Sequence, residues 1–424
     1  MILDDIVSAQ KNGEPRGITS ICSAHPTVLE TCFLHAQEQE PWVLIESTCN
    51  QVNQFGGYTG MKPLDFVAFI REMAARLRFP VERVILGGDH LGPEVWQAEP
   101  ARAAMDKAHK LVRDYVRAGY LKIHLDASMK LGDDPDGPLS KTVSAARAAE
   151  LAQTAEEAFA MLGGLEPPRY VIGTEVPVPG GAREKEAHPS VTTVTDAAET
   201  LDVSRQAFLS RGLEAAWERV IGLVVQPGVE YGDDFILDYD PSSAAALAGF
   251  IEGEKVVYEA HSTDYQAPEM LRRMVADHFA ILKVGPALTF AYREAIFSLA
   301  RMESELYPAP ACSNLIAVLD RAMAEKPTYW QKYYRGGPQD QGFARKYSYS
   351  DRARYYWPDP RVQSALAQLF SNLGNRPVPL SLVSQYLPGA YWRIREGRLA
   401  NNPQDVTQDK IARVLQDYHR ATQA

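Results

Sequence analysis

Eight short apolar runs, separated by longer amphipathic stretches, constrain the fold of this chain more than any other feature. Most of the runs are nearly continuous Val, Ile and Leu, which is typical of strands that are covered on both faces. The connections are too long for hairpins, so the pattern predicts parallel βαβ units, and eight repeats favour a closed (β/α)8 TIM barrel over an open doubly wound sheet. The predicted strands span residues 17–24, 41–48, 83–90, 120–128, 169–176, 220–228, 255–262 and 279–287.

The chain after the eighth run has a different character. Residues 329–360 are rich in Tyr, Trp and Arg, and two amphipathic stretches follow them. We therefore predict a barrel over residues 1–305 and a helical C-terminal extension over residues 306–424 that packs on the barrel.

Composition excludes several classes of function. The chain carries a formal net charge of -10 over 424 residues, without a basic run that would offset it. Binding to nucleic acid or to anionic membranes requires clustered Lys and Arg, so neither is expected. The N-terminus lacks the basic-then-apolar pattern of a secretory signal, and no apolar run is long enough for a membrane span. We expect a cytoplasmic protein with a small-molecule ligand; a homo-oligomer is compatible with the sequence.

Polar side chains follow nearly every predicted strand. Active sites of such barrels lie at the C-terminal ends of the strands, so these side chains should share one rim. Burying so many polar groups without partners would cost roughly 2–7 kcal/mol each, which predicts pairing, water or a ligand. In chain order the residues are Ser23, His25, Glu46, Asn50, Asp89, His90, Asp126, Ser128, Glu175, Gln226, His261 and Lys283.

Some of these residues suit a divalent cation. Imidazole nitrogen and carboxylate oxygen are good ligands for Zn²⁺, so we predict a metal, with zinc first, at His90, Glu175, Gln226 and His261. Asp89 adjoins His90 and is the expected general acid or base, with Asp126 and Glu175 as further catalytic carboxylates. The chemistry would be polarisation of a sugar carbonyl. The predicted substrate-binding residues are Glu46, Asn50, Ser128, Gly228, Lys283 and Gly285.

Each residue also has a structural interpretation. Asp89 could cap a turn or the next helix, and His90 could be a hydrogen-bonded structural histidine. Glu175 could pair with Lys283 or with an Arg, and His261 could be a contact at the N-terminus of a helix. For His124, which alternation places on the same face as Asp126, we favour a structural role. The glycine-rich segments 56–61 and 178–184 could cradle phosphate or could simply be turns.

Four motifs resemble the class II ketose-bisphosphate aldolases. They are "DH" at residues 89–90, "IHLDAS" at 123–128, "IGTEVPVPGG" at 172–181 and "YEAHS" at 258–262. The resemblance implies that Asp89 is the catalytic acid or base and that His90 and His261 are zinc ligands. It also implies that Asp126 and Glu175 lie near the metal.

A second resemblance spans nearly the whole chain. Motifs such as "NQVNQFGGYTGM", "QPGVEYG", "LKVGPALTFAYREA" and "YSYSDRARYYWP" resemble the non-catalytic, Z-type subunit family of D-tagatose-1,6-bisphosphate aldolase, whose members have also been labelled tagatose-6-phosphate kinases. This implies a component of tagatose or galactitol catabolism that supports the activity and stability of a separate class II catalytic subunit, with a sugar or sugar phosphate as ligand. Residues 347–358 could be the contact surface for that partner or a covering on the barrel.

Two departures from the aldolase pattern keep other functions open. Gln226 stands where the aldolases carry a zinc histidine after the sixth strand, and "KVGPAL" replaces their phosphate-contacting run after the eighth. Gln is a poorer zinc ligand than imidazole, which counts against bisphosphate aldolase activity by this chain alone. A metal-dependent C4 epimerase or lyase acting on a ketohexose or keto-uronate is the alternative. A sugar-phosphate kinase is least favoured, because no ATP-binding motif is found.

Overall fold

Eight parallel strands close into a barrel, in the order that the sequence predicts, with β1 paired to β8. The computed structural model describes residues 1–39, 42–163, 166–173 and 190–423. The prediction of a (β/α)8 barrel is confirmed. The strands are β1 Ile18–Ile21, β2 Val43–Thr48, β3 Val84–Leu91, β4 Lys122–Leu125, β5 Arg169–Ile172, β6 Val220–Val224, β7 Val257–Ala260 and β8 Phe279–Val284.

Sixteen α-helices are formed by the described residues. Proline occupies the first turn of many of them, where its missing N–H removes no hydrogen bond, and Gly119 ends α4 in the left-handed conformation. The helices are α1 Ile2–Lys11, α2 Pro26–Gln39, α3 Pro63–Arg76, α4 Ala101–Ala118, α5 Lys141–Ala160, α6 Val194–Leu209, α7 Glu214–Trp217, α8 Pro241–Glu252, α9 Pro268–Ala276, α10 Pro286–Leu306, α11 Leu315–Glu325, α12 Pro338–Tyr347, α13 Pro360–Gly374, α14 Leu380–Tyr386, α15 Pro388–Arg395 and α16 Pro403–Thr422.

The lower end of the barrel is filled by apolar side chains. Helix α1 closes this end with Ile2, Leu3 and Ile6, which pack against one inward-facing residue from most of the strands. Those strand residues are Ile18, Leu44, Ile85, Val171, Ile221, Val257 and Ile281. This layer stabilises the barrel and leaves the opposite, C-terminal ends of the strands for polar groups.

The inward-facing side chains change character toward the C-terminal ends. Strand side chains alternate, so residues two apart share a face. On β7 the inward series runs Val257, Glu259, His261, and on β8 Ile281 is followed by Lys283; all five are buried. The barrel interior therefore passes from an apolar layer to a charged layer and then to the site.

The chain beyond the barrel packs back onto it. Helix α16 lies against α2, α9, α10 and β1. The Thr422 carbonyl accepts a 2.9 Å bond from the Gly17 N–H, and the Tyr418 hydroxyl donates to the Thr263 carbonyl at 2.8 Å. The expected helical extension is thus confirmed. Its boundary at residues 305 and 306 stays a prediction, because α10 continues to Leu306.

No helix in the described part of the chain is both long enough and apolar enough to cross a lipid bilayer.

Candidate metal centre and ligand cavity

The packing at the end of β3 explains why glycine occupies position 87, shortly before Asp89 and His90. A Cβ atom at Gly87 would lie 2.6 Å from Cγ of Glu46, so only glycine leaves room for that buried carboxylate. The pairing with β4 then shifts register between Gly88 and Leu91, and His90 has a φ of 48°. This left-handed conformation is uncommon for a residue other than glycine, and it lets two consecutive side chains, Asp89 and His90, join one cluster.

Three imidazole rings meet at the C-terminal ends of β3, β4 and β7. The ring centroids of His90, His124 and His261 are 4.9 to 5.2 Å apart. One nitrogen from each ring and one carboxylate oxygen of Asp89 lie within 4.8 Å of one another, and all four residues are buried. This arrangement of nitrogen and oxygen donors can hold a metal ion.

Each ring has a carboxylate beside one of its two nitrogens. Nδ1 of His90 is 2.7 Å from Oδ2 of Asp126, and Nε2 of His261 is 3.0 Å from Oε1 of Glu259. Nδ1 of His124 is 3.0 Å from Oδ1 of Asp89 and accepts the backbone N–H of His90 at 3.2 Å. A ligating histidine commonly donates its second ring N–H to a carboxylate, as the contacts of His90 and His261 allow, and this fixes its orientation and raises its basicity.

The opposite nitrogens remain available for a cation. Nε2 of His124 is buried without a hydrogen-bond partner among the described residues. Burial lowers the pKa of His124, and burial together with the charge of Lys283 lowers the pKa of His261 to about 3, so both rings are neutral. Burial alone would lower the pKa of His90, but Asp89 and Asp126 raise it to about 9. The donor set therefore fits a divalent metal.

A layer of buried charges lies directly below the three rings. Lys122 is 2.7 Å from Glu46 and 2.6 Å from Glu259, and Lys283 contacts Asp89 and is 3.1 Å from Glu259. With Asp126 included, four carboxylates oppose two ammonium groups, so two negative charges are in excess when the three rings are neutral. Burial would raise the pKa of Asp89, but His90 and Lys283 hold it well below the usual value. A divalent cation would balance the charges of this layer.

Asp126 and Ser128 support the cluster from behind. The hydroxyl and the backbone N–H of Ser128 both donate to Oδ1 of Asp126, at 2.7 and 3.0 Å, while Oδ2 faces His90. Burial alone would raise the pKa of Asp126, but the hydrogen bond to His90 and the charge of that ring lower it below its usual value. Asp126 therefore stays ionised. Through these contacts Asp126 and Ser128 orient the His90 ring. The predicted catalytic role of Asp126 and the predicted substrate-binding role of Ser128 stay predictions.

A cavity of about 840 Å³ opens above the cluster. Asp89, His90 and His261 form its floor, and the predicted substrate-binding residues Asn50 and Lys283 also line it. Gly285 lines it as well, but its N–H donates to Oδ1 of Asp264 at 3.0 Å. Burial raises the pKa of Asp264 to about 6. The cavity has the size and mixed lining of a small-molecule site.

Three predicted residues lie away from the cavity floor. Glu46 is fully buried in the charged layer below the rings. The amide oxygen of Gln226 accepts from the N–H of Gly228 at 2.9 Å, so these two residues bond to each other within the loop after β6. Glu175 lies outside the described residues, as does the glycine-rich segment 178–184. Their predicted roles stay predictions.

The C-terminal extension closes one side of the cavity. Most of residues 348–357 are buried, and Arg352, Arg354, Tyr355 and Trp357 line the cavity. The Tyr265 hydroxyl donates to the Tyr349 carbonyl at 2.5 Å, which ties the segment to the loop after β7. Of the two interpretations of this segment, the structure favours a covering on the barrel over an exposed contact surface.

Several functional candidates are missed or undervalued by sequence reasoning. His124 is assigned a structural role by its place within an apolar strand, although its position two residues before Asp126 is an available signal. Glu94, in the loop after β3, lines the cavity. Its pKa is raised, because the effect of burial is larger than the lowering by the charge of His90. Asp264 and Arg354 carry no local sequence signal, because their roles depend on contacts between distant segments.

Comparison with known proteins gives a family match over nearly the whole chain and similarity to solved structures. Residues 3–423 match the family model described as D-tagatose-1,6-bisphosphate aldolase subunit GatZ/KbaZ-like. A crystal structure of a probable tagatose 6 phosphate kinase from Sinorhizobium meliloti 1021 is 46% identical, with a TM-score of 0.88 over 96% of this chain and 100% of that one.

Two aldolases are only distantly similar. The YdjI aldolase from Escherichia coli K12 is 12% identical, with a TM-score of 0.43 over 84% of this chain and 94% of that one. Fructose-bisphosphate aldolase from Campylobacter jejuni is 12% identical, with a TM-score of 0.46 over 88% of this chain and 93% of that one. The barrel fold of this chain is established by its own strand pairing.

Proposed function

Because the chain belongs to the GatZ/KbaZ-like family of D-tagatose-1,6-bisphosphate aldolase subunits, we propose that it binds a divalent metal and a ketose phosphate within its own barrel. In this proposal it works beside a separate class II catalytic subunit in tagatose catabolism and supports the activity and stability of that subunit. Zinc is the first metal to test, because three imidazoles and a carboxylate are ligands that it prefers.

One observation carries the proposal: three imidazoles from different strands converge, and each has a carboxylate beside its other nitrogen. His90, His124 and His261 would hold the metal, with Asp89 next to it. When bound, the metal would polarise a ligand carbonyl. His124 supplies a third imidazole where the sixth strand offers only Gln226, so the departure at that strand does not remove the donor set.

The side chains around the cluster can hold and move protons. Asp89 is ionised and lies on the cavity floor, so it is placed to accept a proton from a hydroxyl or carbon acid bound above it, while the ion pair with Lys283 lowers its basicity. Glu94 lies on the cavity wall with its pKa raised by burial, which suits it to hold a proton.

A second candidate function has support from the same geometry. A cavity above three imidazoles and a carboxylate is what a metal-dependent C4 epimerase or lyase acting alone would need, on a ketohexose or keto-uronate. Both candidates require the metal, and they differ in whether the lone chain turns over a sugar. A binding subunit would raise the activity of its partner and have none of its own.

The test starts with metal content. We expect close to one metal ion per chain in the purified wild type and a loss of stoichiometric metal in His124→Ala, measured by inductively coupled plasma mass spectrometry. His109→Ala is the matched control, because His109 bonds to Thr154 and Glu150 on the outer helices. Retention of metal by His124→Ala would contradict the proposed site.

Activity then separates the functions. The wild type is assayed for cleavage of D-tagatose 1,6-bisphosphate with and without a class II catalytic subunit, and alone for epimerisation of ketohexoses, their phosphates and keto-uronates. Higher partner activity and none alone is the expected result; turnover by the lone chain would favour the epimerase or lyase. Transfer of phosphate from ATP to tagatose 6-phosphate would overturn both, and the Sinorhizobium relative makes this arm necessary.

A further inference from the structure

Arg354 is a half-buried cation in the cavity wall, in the turn Arg352–Tyr355 of the C-terminal extension. Its guanidinium donates to the carbonyls of Ser350 and Asp351 and, at 3.0 Å, to the Tyr355 hydroxyl. None of the carboxylates in the described part of the chain forms an ion pair with it. A guanidinium that is partly shielded from water usually has an anionic partner, because desolvating the charge is costly.

Aromatic rings hold the guanidinium in place. Its central carbon lies 4.5 Å from the ring centroid of Tyr355. That ring stacks on Tyr329 at 4.6 Å and meets the edge of Tyr58 at 4.7 Å. Tyr58 belongs to the glycine-rich segment 56–61, so this loop helps to position Arg354. A fixed guanidinium is suited to bind a phosphate or carboxylate with two hydrogen bonds.

The backbone that carries Arg354 is anchored to the barrel. Asp351 accepts a 2.8 Å bond from Arg293 and a 2.7 Å bond from Thr289, both on α10, the helix that follows β8. Ser348 donates to Asp233, in the loop after β6, at 2.8 Å. Arg354 thus has a defined position relative to the strand ends, and little ordering would be needed when a ligand binds.

The usual anion site of a TIM barrel is already occupied in this chain. Such barrels often bind phosphate with the loops after strands 7 and 8 and with a helix N-terminus. Here the buried carboxylate of Asp264 accepts from the N–H groups of Gly285 and Ala287, at 3.0 and 2.8 Å. A phosphate at the start of α10 would lose these donors and meet a like charge.

We infer that the ligand's terminal anionic group, a phosphate or a carboxylate, binds Arg354 and not the start of α10. The sugar carbonyl would then lie toward the histidine cluster on the floor of the same cavity. The inference deepens the proposed function and rests on it for the sugar, whereas the anion site stands on the contacts of Arg354 alone.

Binding titrations with the full-length, metal-loaded chain test the inference. The ligands are D-tagatose 6-phosphate, D-tagatose, a keto-uronate and inorganic phosphate. Arg354→Met should weaken the binding of tagatose 6-phosphate or of the keto-uronate by about 10- to 100-fold, as for loss of a charge-assisted hydrogen bond, and leave tagatose unchanged. The anionic sugar with the larger loss identifies the group. Arg272→Met, on the outer surface of α9, is the matched control.

Two further variants distinguish a binding role from a folding role. Arg354→Lys keeps the charge but loses the planar fork, so affinity for the anionic ligand should fall about 5- to 10-fold while metal content is unchanged. In the Asp264→Asn background, adding Arg354→Met should still weaken phosphate binding about 10- to 100-fold, because the anion is bound by the guanidinium. Phosphate binding by Asp264→Asn that does not depend on Arg354 would place the anion at the start of α10 and overturn the inference.

The remaining outcomes separate this inference from the proposed function. If the wild type binds tagatose 6-phosphate and both Arg354 variants bind it equally well, the inference is overturned and the proposed function stands. If no sugar binds but inorganic phosphate binds in an Arg354-dependent manner, the proposed function fails and the anion site stands. Absence of all anion binding by the wild type overturns the inference.

Discussion

The Asp126 carboxylate links Ser128 to His90, with Oδ2 only 2.7 Å from Nδ1 of the ring. Because Nδ1 of His90 faces Asp126, Nε2 is left to face the cluster. The contact therefore determines which nitrogen of His90 can ligate a metal, and its loss should be measurable as weaker metal binding.

Replacement of Asp126 by Asn should lower metal affinity about 10- to 100-fold, as is typical for the loss of a carboxylate behind a ligating histidine. Competition with a chelator of known affinity measures the change. Asp114→Asn, which alters an exposed pair with Lys110 on α4, should bind metal like the wild type. Unchanged affinity in Asp126→Asn would contradict the positioning role of Asp126.

Metal binding should release about one proton per chain near pH 7. His124 and His261 are already neutral because burial lowers the pKa of each, whereas His90 is protonated below its pKa of about 9. Apparent affinity should therefore rise about tenfold per pH unit and level off near pH 9. Calorimetry in two buffers with different ionisation enthalpies counts the protons; release of none, or of two or more, would disagree with this assignment.

A methyl group at Gly87 should destabilise the barrel. The added Cβ would lie 2.6 Å from Cγ of Glu46, so the Glu46–Lys122 ion pair would have to shift, at a cost of about 1–3 kcal/mol in the free energy of unfolding. Gly249→Ala on α8 is the control, because its Cβ meets no atom within 4 Å, and it should be neutral or slightly stabilising. Urea denaturation measures both; equal stability of the two variants would refute the steric explanation.

Lys122→Met should cost about 3–5 kcal/mol, since it leaves Glu46 and Glu259 buried without the ammonium group between them. Lys255→Met removes an exposed pair with Glu218 and should change stability by about 0.5 kcal/mol or less. Thermal and urea unfolding give the two values. A small effect at Lys122 would mean that water or a cation enters the charged layer.

Asp264→Asn should change how stability depends on pH. Burial raises the folded-state pKa of Asp264 to about 6, above the unfolded value of 3.8, so the folded state binds more protons between these values. The contribution of Asp264 to stability is therefore present below about pH 4 and is lost as pH rises through 6. Relative to the wild type, the variant should gain on the order of 2–3 kcal/mol between pH 4 and 7. A pH-independent difference in unfolding free energy would contradict the burial of this charge.

The barrel could be predicted from the sequence because every strand is a short apolar run with a long helical connection. Alternation along the strands also brings Asp89 and His261 to one rim. The orientation of the His90 side chain could not be predicted in this way, since it depends on a register shift in β3 and a positive φ. Sequence reasoning favours a structural role for His124 because a histidine within an apolar strand is usually a core residue, and only the neighbouring rings reveal its place in the cluster.

The contacts of the C-terminal extension lie beyond sequence reasoning for a different reason. Aromatic and Arg residues at 347–358 suit an interface and a packed cover equally well. The choice depends on whether Asp351 meets Arg293 and Thr289, which are about sixty residues away. The same holds for Asp264, whose hydrogen bonds reach the next βα loop.

Helix α16 packs against β1, and its Thr422 carbonyl accepts from the Gly17 amide, so the first strand is covered by a segment that is synthesised much later. During synthesis on the ribosome, this contact can form only after about four hundred further residues have been added to the chain. Chaperones would have a long interval in which to bind the nascent first strand, and a premature stop codon anywhere before α16 would leave that strand permanently uncovered.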